Sequence, residues 1–187
     1  MSLYFVHKKN QYMLLLRIII LLLSLPACIN QQGNAQETFQ KSLDQLTSTP
    51  SLYSLYKVVK IKDGDTFVLL VEGKELVVRL AHIDCPEKKQ PFGTKAKQFA
   101  SDLCFGKYVT ISHEDKYDRN KRLIAEIILE DGRYVNKELV KIGLAWHFKQ
   151  YSNDNDYAVL EITAREKQIG LWAEANPVEP WLWRKKK

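Results

Sequence analysis

Two turn signals, Asp63-Gly64 and Glu72-Gly73-Lys74, cut residues 53–83 into three short apolar runs rich in β-branched side chains, over 53–61, 66–71 and 76–83. Runs and turns this short pair with their sequence neighbours as an antiparallel meander, and a meander must then bury one face. Residues 94–104 supply a cover: Ala96, Phe99, Ala100 and Leu103 recur at helical spacing, and Gly106 stands where a C-terminal cap is expected. Two further strands are predicted over 109–112 and 123–129, separated by the charged stretch 113–122. After Asp131-Gly132, the residues Val135, Leu139, Val140 and Ile142 make a helical stripe ending at Gly143, and a last helix is predicted over 156–168, with Gly170 beyond it. Five strands with a helix between the third and fourth predict an α+β, mainly β, fold: a small closed barrel with helices packed on it.

Composition narrows the classes further. With 45% hydrophobic and 27% charged residues the chain can bury a core, and 3 Cys are too few for a disulfide scaffold. The formal net charge of +6 is unevenly placed. Residues 1–27 carry Lys8, Lys9 and Arg17 without an acid, and Arg184 to Lys187 end the chain, leaving 21 basic against 22 acidic residues between. Global charge is therefore weak evidence for a polyanionic partner, and any such argument must come from a local site.

The first 27 residues have the order of an export signal: Lys8, Lys9 and Arg17, an apolar core from Ile18 to Leu25, then Pro26-Ala27-Cys28. The uncharged run is too short for a spanning helix. Leu25-Pro26-Ala27-Cys28 resembles the bacterial lipobox, which makes Cys28 the expected site of lipidation and the mature first residue, with a freely secreted or periplasmic protein as the alternative. Met13 is a second candidate start. Residues 28–52 read as a flexible tether rich in Gln, Asn, Ser and Thr, residues 53–175 as the folded domain, and residues 176–187 as a basic tail.

The candidate chemistry lies at the strand ends. Asp63-Gly64-Asp65-Thr66 opens the second strand and Asp84-Cys85-Pro86-Glu87 closes the third. A meander returns the end of its third strand towards the start of its second, so Asp65 and Asp84 converge despite their separation. Two converging carboxylates suit a hard cation, either Ca²⁺ or Mg²⁺. Arg79 is conspicuous within Leu76-Val77-Val78-Arg79-Leu80-Ala81: either it snorkels at the rim or it reaches a polar cleft.

Taken together these segments resemble the staphylococcal nuclease (thermonuclease) family. The resemblance is carried by Asp63-Gly64-Asp65-Thr66, Arg79-Leu80, Ile83-Asp84-Cys85-Pro86-Glu87, Gln90-Pro91-Phe92-Gly93, Asp118-Arg119-Asn120-Lys121-Arg122, Val135-Asn136, Leu139-Val140, Gly143-Leu144-Ala145 and Gly170-Leu171-Trp172. It implies an OB-type five-stranded barrel with three helices and a calcium-dependent endonuclease that hydrolyses DNA and RNA with little base specificity. It further implies Arg79, Glu87 and Arg122 as catalytic residues, and Asp65, Asp84 and the backbone carbonyl of Cys85 as ligands of Ca²⁺, with Mg²⁺ or Mn²⁺ as alternatives. Three departures stand out: the segment before Arg122 lacks the family's aromatic residue and glycine, the stretch from Glu87 to the first helix is short, and Cys85 replaces Thr or Ala.

Arg119 is the rival of Arg122 for the second arginine. Lys116 and Lys121 are candidate phosphate contacts, and Tyr151 is a candidate base-stacking residue. After export Cys85 and Cys104 would meet an oxidising compartment, where a disulfide is one outcome and a buried Cys104 thiol the other. A monomer is expected, with DNA and RNA as substrate and a membrane reached through lipidated Cys28. The rival reading is a non-catalytic OB-type module, tethered to the cell envelope, that binds nucleic acid or protein. A second rival is an envelope-tethered structural protein whose basic tail meets anionic lipid or polymer. The complete charged set favours the enzyme.

Overall fold

Strand β1 (Tyr56–Asp63) pairs antiparallel with β2 (Thr66–Val71), and β2 with β3 (Lys74–Leu80), which is the meander expected from the turns. The structure, a computed structural model, describes residues 54–185; the export signal and the whole tether, Cys28 included, lie outside the described residues. β5 (Tyr108–Tyr117) and β6 (Leu123–Ile128) complete a closed barrel in the order β1-β2-β3-β6-β5. β3 and β6 run parallel, with Val78 opposite Leu123 and Arg79 opposite Ile124. That one parallel junction brings the arginine of β3 beside the loop that enters β6. The result is a mixed five-stranded barrel with helices packed on it, the OB-type α+β fold.

Register irregularities in β1 break the twofold alternation, so Val58 and Ile61, three residues apart, are both buried. β6 keeps strict alternation and buries Leu123, Ala125 and Ile127. β5 is longer than the sequence predicts, because its pairing with β6 continues through His113 to Tyr117 after the apolar signal has stopped.

Helix α1 (Gly93–Cys104) buries Ala96, Ala100 and Cys104, the i, i+4, i+8 row that packs closest. Helix α2 (Val135–Lys141) carries the fully buried Asn136, whose amide donates to the carbonyls of Ala81 (3.0 Å) and Ala125 (3.3 Å) and accepts from the Ile127 N–H (3.1 Å). This side chain fastens the end of β3 to β6, so it supports the junction that positions both arginines. Helix α3 (Asn155–Glu166) starts at Asp154, whose carboxylate accepts from the Asp156 N–H at 2.8 Å.

A 3₁₀ turn (Gly170–Ala173) follows, and the last described element is α4 (Pro180–Lys185). Within the stretch expected to be a basic tail from residue 176, residues 180–185 thus form a helix held by packing. Pro180 is buried at the first helical position, where its fixed φ suits a helix start. Trp181 stacks on Phe148 at 5.1 Å between centroids and meets the edge of Trp146 at 5.8 Å. The disulfide alternative also falls, since Cys85 and Cys104 are both buried free thiols.

Candidate active site

The site is assembled by register. Thr66 lies opposite Arg79 and the Leu80 N–H donates to the Asp65 carbonyl at 2.9 Å, so the β2–β3 ladder places Asp65 beside Arg79. Beyond Leu80 the backbone turns sharply at His82, which has φ of 67°. The two-residue strand β4 (Ile83–Asp84) then pairs with β7 (Trp146–His147), and this returns Asp84 to the same guanidinium. Arg79 Nη2 lies 2.8 Å from Asp84 Oδ1 and 3.2 Å from Asp65 Oδ2. Its Nη1 donates to the carbonyls of Leu80 (2.7 Å) and Ile83 (2.9 Å).

Both terminal nitrogens of Arg79 are therefore spent, through three hydrogen bonds and the ion pair to Asp65, on holding the acid pair and its loop. Asp65 in turn accepts from the Cys85 N–H at 2.8 Å and so pins the segment that carries Asp84. Gly64 is required by this closeness: a Cβ there would stand 2.8 Å from Ala96 Cβ and 2.9 Å from Cys85 Sγ.

Arg122 is organised by its own loop. Asp118 accepts from the backbone N–H of Asn120 (2.9 Å) and of Arg122 (3.0 Å), and also from Arg122 Nε (2.7 Å). Lys121, at the position where the family pattern has glycine, takes φ of 60°, so the loop holds a lysine in the left-handed region. Arg122 Nη1 donates to Thr66 Oγ1 at 3.0 Å, and that hydroxyl donates to Asp65 Oδ1 at 3.3 Å. One threonine thus links the second arginine to the acid pair. With Nε and Nη1 hydrogen-bonded and Nη2 ion-paired to Asp118 at 2.6 Å, Arg122 retains two N–H groups, and its side chain is 25% exposed against 13% for Arg79. The rival Arg119 is exposed.

Glu87 sits on the loop between β4 and α1. Buried Gln90 holds that loop by accepting from the Glu87 N–H (3.1 Å) and donating its own backbone N–H to the Glu87 carbonyl (2.8 Å). Gly93 passes so close that a Cβ would be 1.9 Å from the Glu87 carbonyl oxygen. Glu87 Oε1 accepts from Arg184 Nη1 at 2.8 Å, and Arg184 Nη2 reaches Asp84 Oδ2 at 2.6 Å.

Electrostatically the pocket is acidic. Asp63, Asp65, Asp84 and Glu87 face two arginines, Arg79 and Arg184. Burial, reinforced by the charge of Asp65, pushes Asp63 up to about 6. Burial also raises Asp84, and the bonds from Arg184 and Arg79 only partly oppose it. Loss of water around Arg79 acts against its charge, but the adjacent Asp65 and Asp84 outweigh that and raise it. This excess of buried negative charge and the all-oxygen donor set fit a hard divalent cation held by Asp65, Asp84 and the Cys85 carbonyl, with water completing the shell. Among the described residues no group of three or more His, Cys, Asp or Glu converges as a ready-made metal cluster.

The structure therefore brings Asp65, Arg79, Asp84, Glu87 and Arg122 into one connected network. The other candidates stand differently. Lys116 is exposed and paired with Glu114 at 2.6 Å, and Lys121 is exposed on the Asp118 loop. Tyr151 is exposed, with its ring edge-on to Phe148 at 4.8 Å. Sequence reasoning missed Arg184, which it read as part of a tail. The available signal was Pro180 followed by Trp181 and Trp183, a helix start with aromatic residues to pack.

Comparison with known proteins places the chain in a family. Residues 77–174 match the family model described as staphylococcal nuclease homologue. A Haemophilus influenzae protein named as an uncharacterized endonuclease is 47% identical over 130 residues, covering 69% of this chain and 72% of its own. An Escherichia coli protein with the same description is 39% identical over 131 residues, covering 70% and 85%. The micrococcal nuclease of Shigella flexneri is 36% identical over 138 residues, covering 69% and 79%. With a family model matched over half its length and these relatives matched over most of theirs, the chain belongs to the staphylococcal nuclease family.

Proposed function

We propose that the protein is a calcium-dependent endonuclease that hydrolyses phosphodiester bonds of DNA and RNA with little base specificity. The observation that carries this reading is the single network joining Asp65, Asp84, Arg79, Glu87 and Arg122, with Arg79 Nη2 within 3.2 Å of both aspartates and Arg122 joined to them through Thr66. Such a set is aimed at a phosphate, which carries no sequence information. The names of the relatives, endonuclease and micrococcal nuclease, support the same reaction class.

Each residue has a distinct task. Arg122 presents its two remaining N–H groups to a phosphate oxygen, where a permanently charged planar fork stabilises the negative charge gained as water adds to phosphorus. Arg79 holds Asp65 and Asp84 side by side as their shared counterion and keeps its Nε–H for the phosphate. Glu87 accepts the proton of the attacking water as general base. A bound Ca²⁺ would neutralise a phosphate oxygen and lower the barrier to water attack. Lys116, Lys121 and Tyr151 are proposed as outlying contacts to the strand. Export, lipidation at Cys28, a tether over 28–52 and a monomeric state complete the proposal.

The test is cleavage of heat-denatured DNA and of RNA by the purified protein in Ca²⁺, in Mg²⁺, in Mn²⁺ and in EDTA. Cleavage in Ca²⁺ that EDTA abolishes, and that Glu87→Gln reduces at least 100-fold, is the expected result. Intact substrate under every ion would overturn the reading.

A further inference from the structure

The C-terminal arm supplies a third arginine to the site. Arg184 Nη2 lies 2.6 Å from Asp84 Oδ2, and its Nη1 lies 2.8 Å from Glu87 Oε1 and 3.3 Å from Asp84 Oδ1. Asp84 is therefore gripped on both oxygens, by Arg79 on one and Arg184 on the other. This contact comes from beyond residue 174, where the family match ends.

The arm is built to deliver that side chain. Pro180 is buried, Trp181 stacks on Phe148, and the Gln90 amide donates to the Val178 carbonyl at 2.6 Å. The same Gln90 amide oxygen accepts from the Glu87 N–H. One buried glutamine thus ties the backbone of the Glu87 loop to the backbone of the arm, and Arg184 ties the corresponding side chains. Two like charges, Asp84 and Glu87, are spanned by one guanidinium, which offsets their repulsion and fixes the direction of the half-buried partner. Glu87 needs this more than Asp84, because Asp84 is 1% exposed and already held by Arg79, whereas Glu87 lies on a loop.

We propose that Arg184 is a positioning residue of the nuclease site, aiming Glu87 at the attacking water through the bridge to Asp84, so that the functional unit extends through α4. The proposal rests on the nuclease reading above. It says that Arg184 acts through Glu87, and it excludes a role as a plug that the cation must displace.

The experiment compares the wild-type chain with Arg184→Ala, Arg184→Lys, Glu87→Gln and the double variant Glu87→Gln/Arg184→Ala on single-stranded DNA in Ca²⁺, with Ca²⁺ affinity measured separately by calorimetry and folding by thermal unfolding. Arg184→Ala is expected to lower kcat about 10- to 100-fold, with KM changed less than about threefold, and to leave Ca²⁺ binding equal or weaker. Arg184→Lys, which keeps the charge and loses the fork, should recover part of the loss. In the Glu87→Gln background Arg184→Ala should cost less than about threefold, the non-additivity expected of residues that act as a unit.

Tighter Ca²⁺ binding with undiminished turnover in Arg184→Ala would make the arm a plug and overturn the proposal. An equal loss in both backgrounds, or a loss confined to KM, would also overturn it. Wild-type protein without turnover would instead refute the nuclease reading, whereas wild-type turnover matched by Arg184→Ala refutes this inference alone. Should Arg184→Ala unfold at the assay temperature, the Arg184→Lys comparison in the two Glu87 backgrounds decides.

Discussion

Removing Arg79 should damage the fold and the chemistry together, and the size of the damage follows from its contacts. Arg79→Ala strands the carboxylate of Asp65, 6% exposed, leaves Asp84, 1% exposed, with Arg184 as its one remaining counterion, and takes a donor from the carbonyls of Leu80 and Ile83. Breaking a buried pair by removing one partner costs about 3–5 kcal/mol, because the remaining charge has lost both water and counterion. For a domain of this size that corresponds to a fall in Tm of roughly 10–15 °C. The assay is thermal or urea unfolding in EDTA from pH 4 to pH 8, wild type against Arg79→Ala.

The pH dependence carries the sign. Burial already raises Asp84 above its ordinary value, and without Arg79 the folded state favours its protonated form even more, so its folded pKa rises further above the unfolded one. The deficit of Arg79→Ala should therefore be largest at neutral pH and shrink as pH falls and the carboxyls take up protons. Adding Ca²⁺ should recover part of the loss. A deficit below about 1 kcal/mol, or one that is the same at pH 4 and pH 8, would refute the argument that Arg79 is the counterion of a buried acid pair.

Two further changes test the neighbouring parts. Asp63 titrates near 6 in the fold, above its ordinary value, so it favours folding below about pH 4 and that contribution is lost as pH rises through 6; Asp63→Asn should raise urea stability in EDTA at pH 7.5 by up to about 3 kcal/mol and leave it little changed at pH 4. A pH-independent effect would contradict this. Gly93→Ala places a Cβ 1.9 Å from the Glu87 carbonyl oxygen, so the Glu87 loop must move; about 1–3 kcal/mol of stability and at least tenfold in kcat should be lost, measured by unfolding and cleavage. Wild-type values for this variant would mean the loop is not held as described.

Much of the barrel was legible because its strands carry apolar runs ended by turn residues, as at Asp63-Gly64 and Glu72-Gly73. The convergence of Asp65 and Asp84 was expected from meander geometry, although the third strand stops at Leu80 and it is the short strand β4 that brings Asp84 back, and Arg79 was visible as a charge inside an apolar run. Other features left weaker traces. β4 and β7 are two residues each, too short for any period, yet their pairing aims Asp84. The far half of β5 is polar, so its continuation depends on a partner strand that local sequence does not reveal. Arg184 was read as tail because four consecutive basic residues hid the aromatic anchors Trp181 and Trp183 before them. Its contact with Asp84 spans 100 residues of chain.

The most direct test of the central claim is Arg122→Ala, because this arginine touches the acid network only through Thr66 and its own loop through Asp118. Stability should change by no more than about 1–2 kcal/mol, since Asp118 keeps its bonds from two backbone N–H groups, while cleavage of single-stranded DNA in saturating Ca²⁺ should fall about 100- to 1,000-fold. A well-folded Arg122→Ala protein that cuts DNA at the wild-type rate would contradict the account.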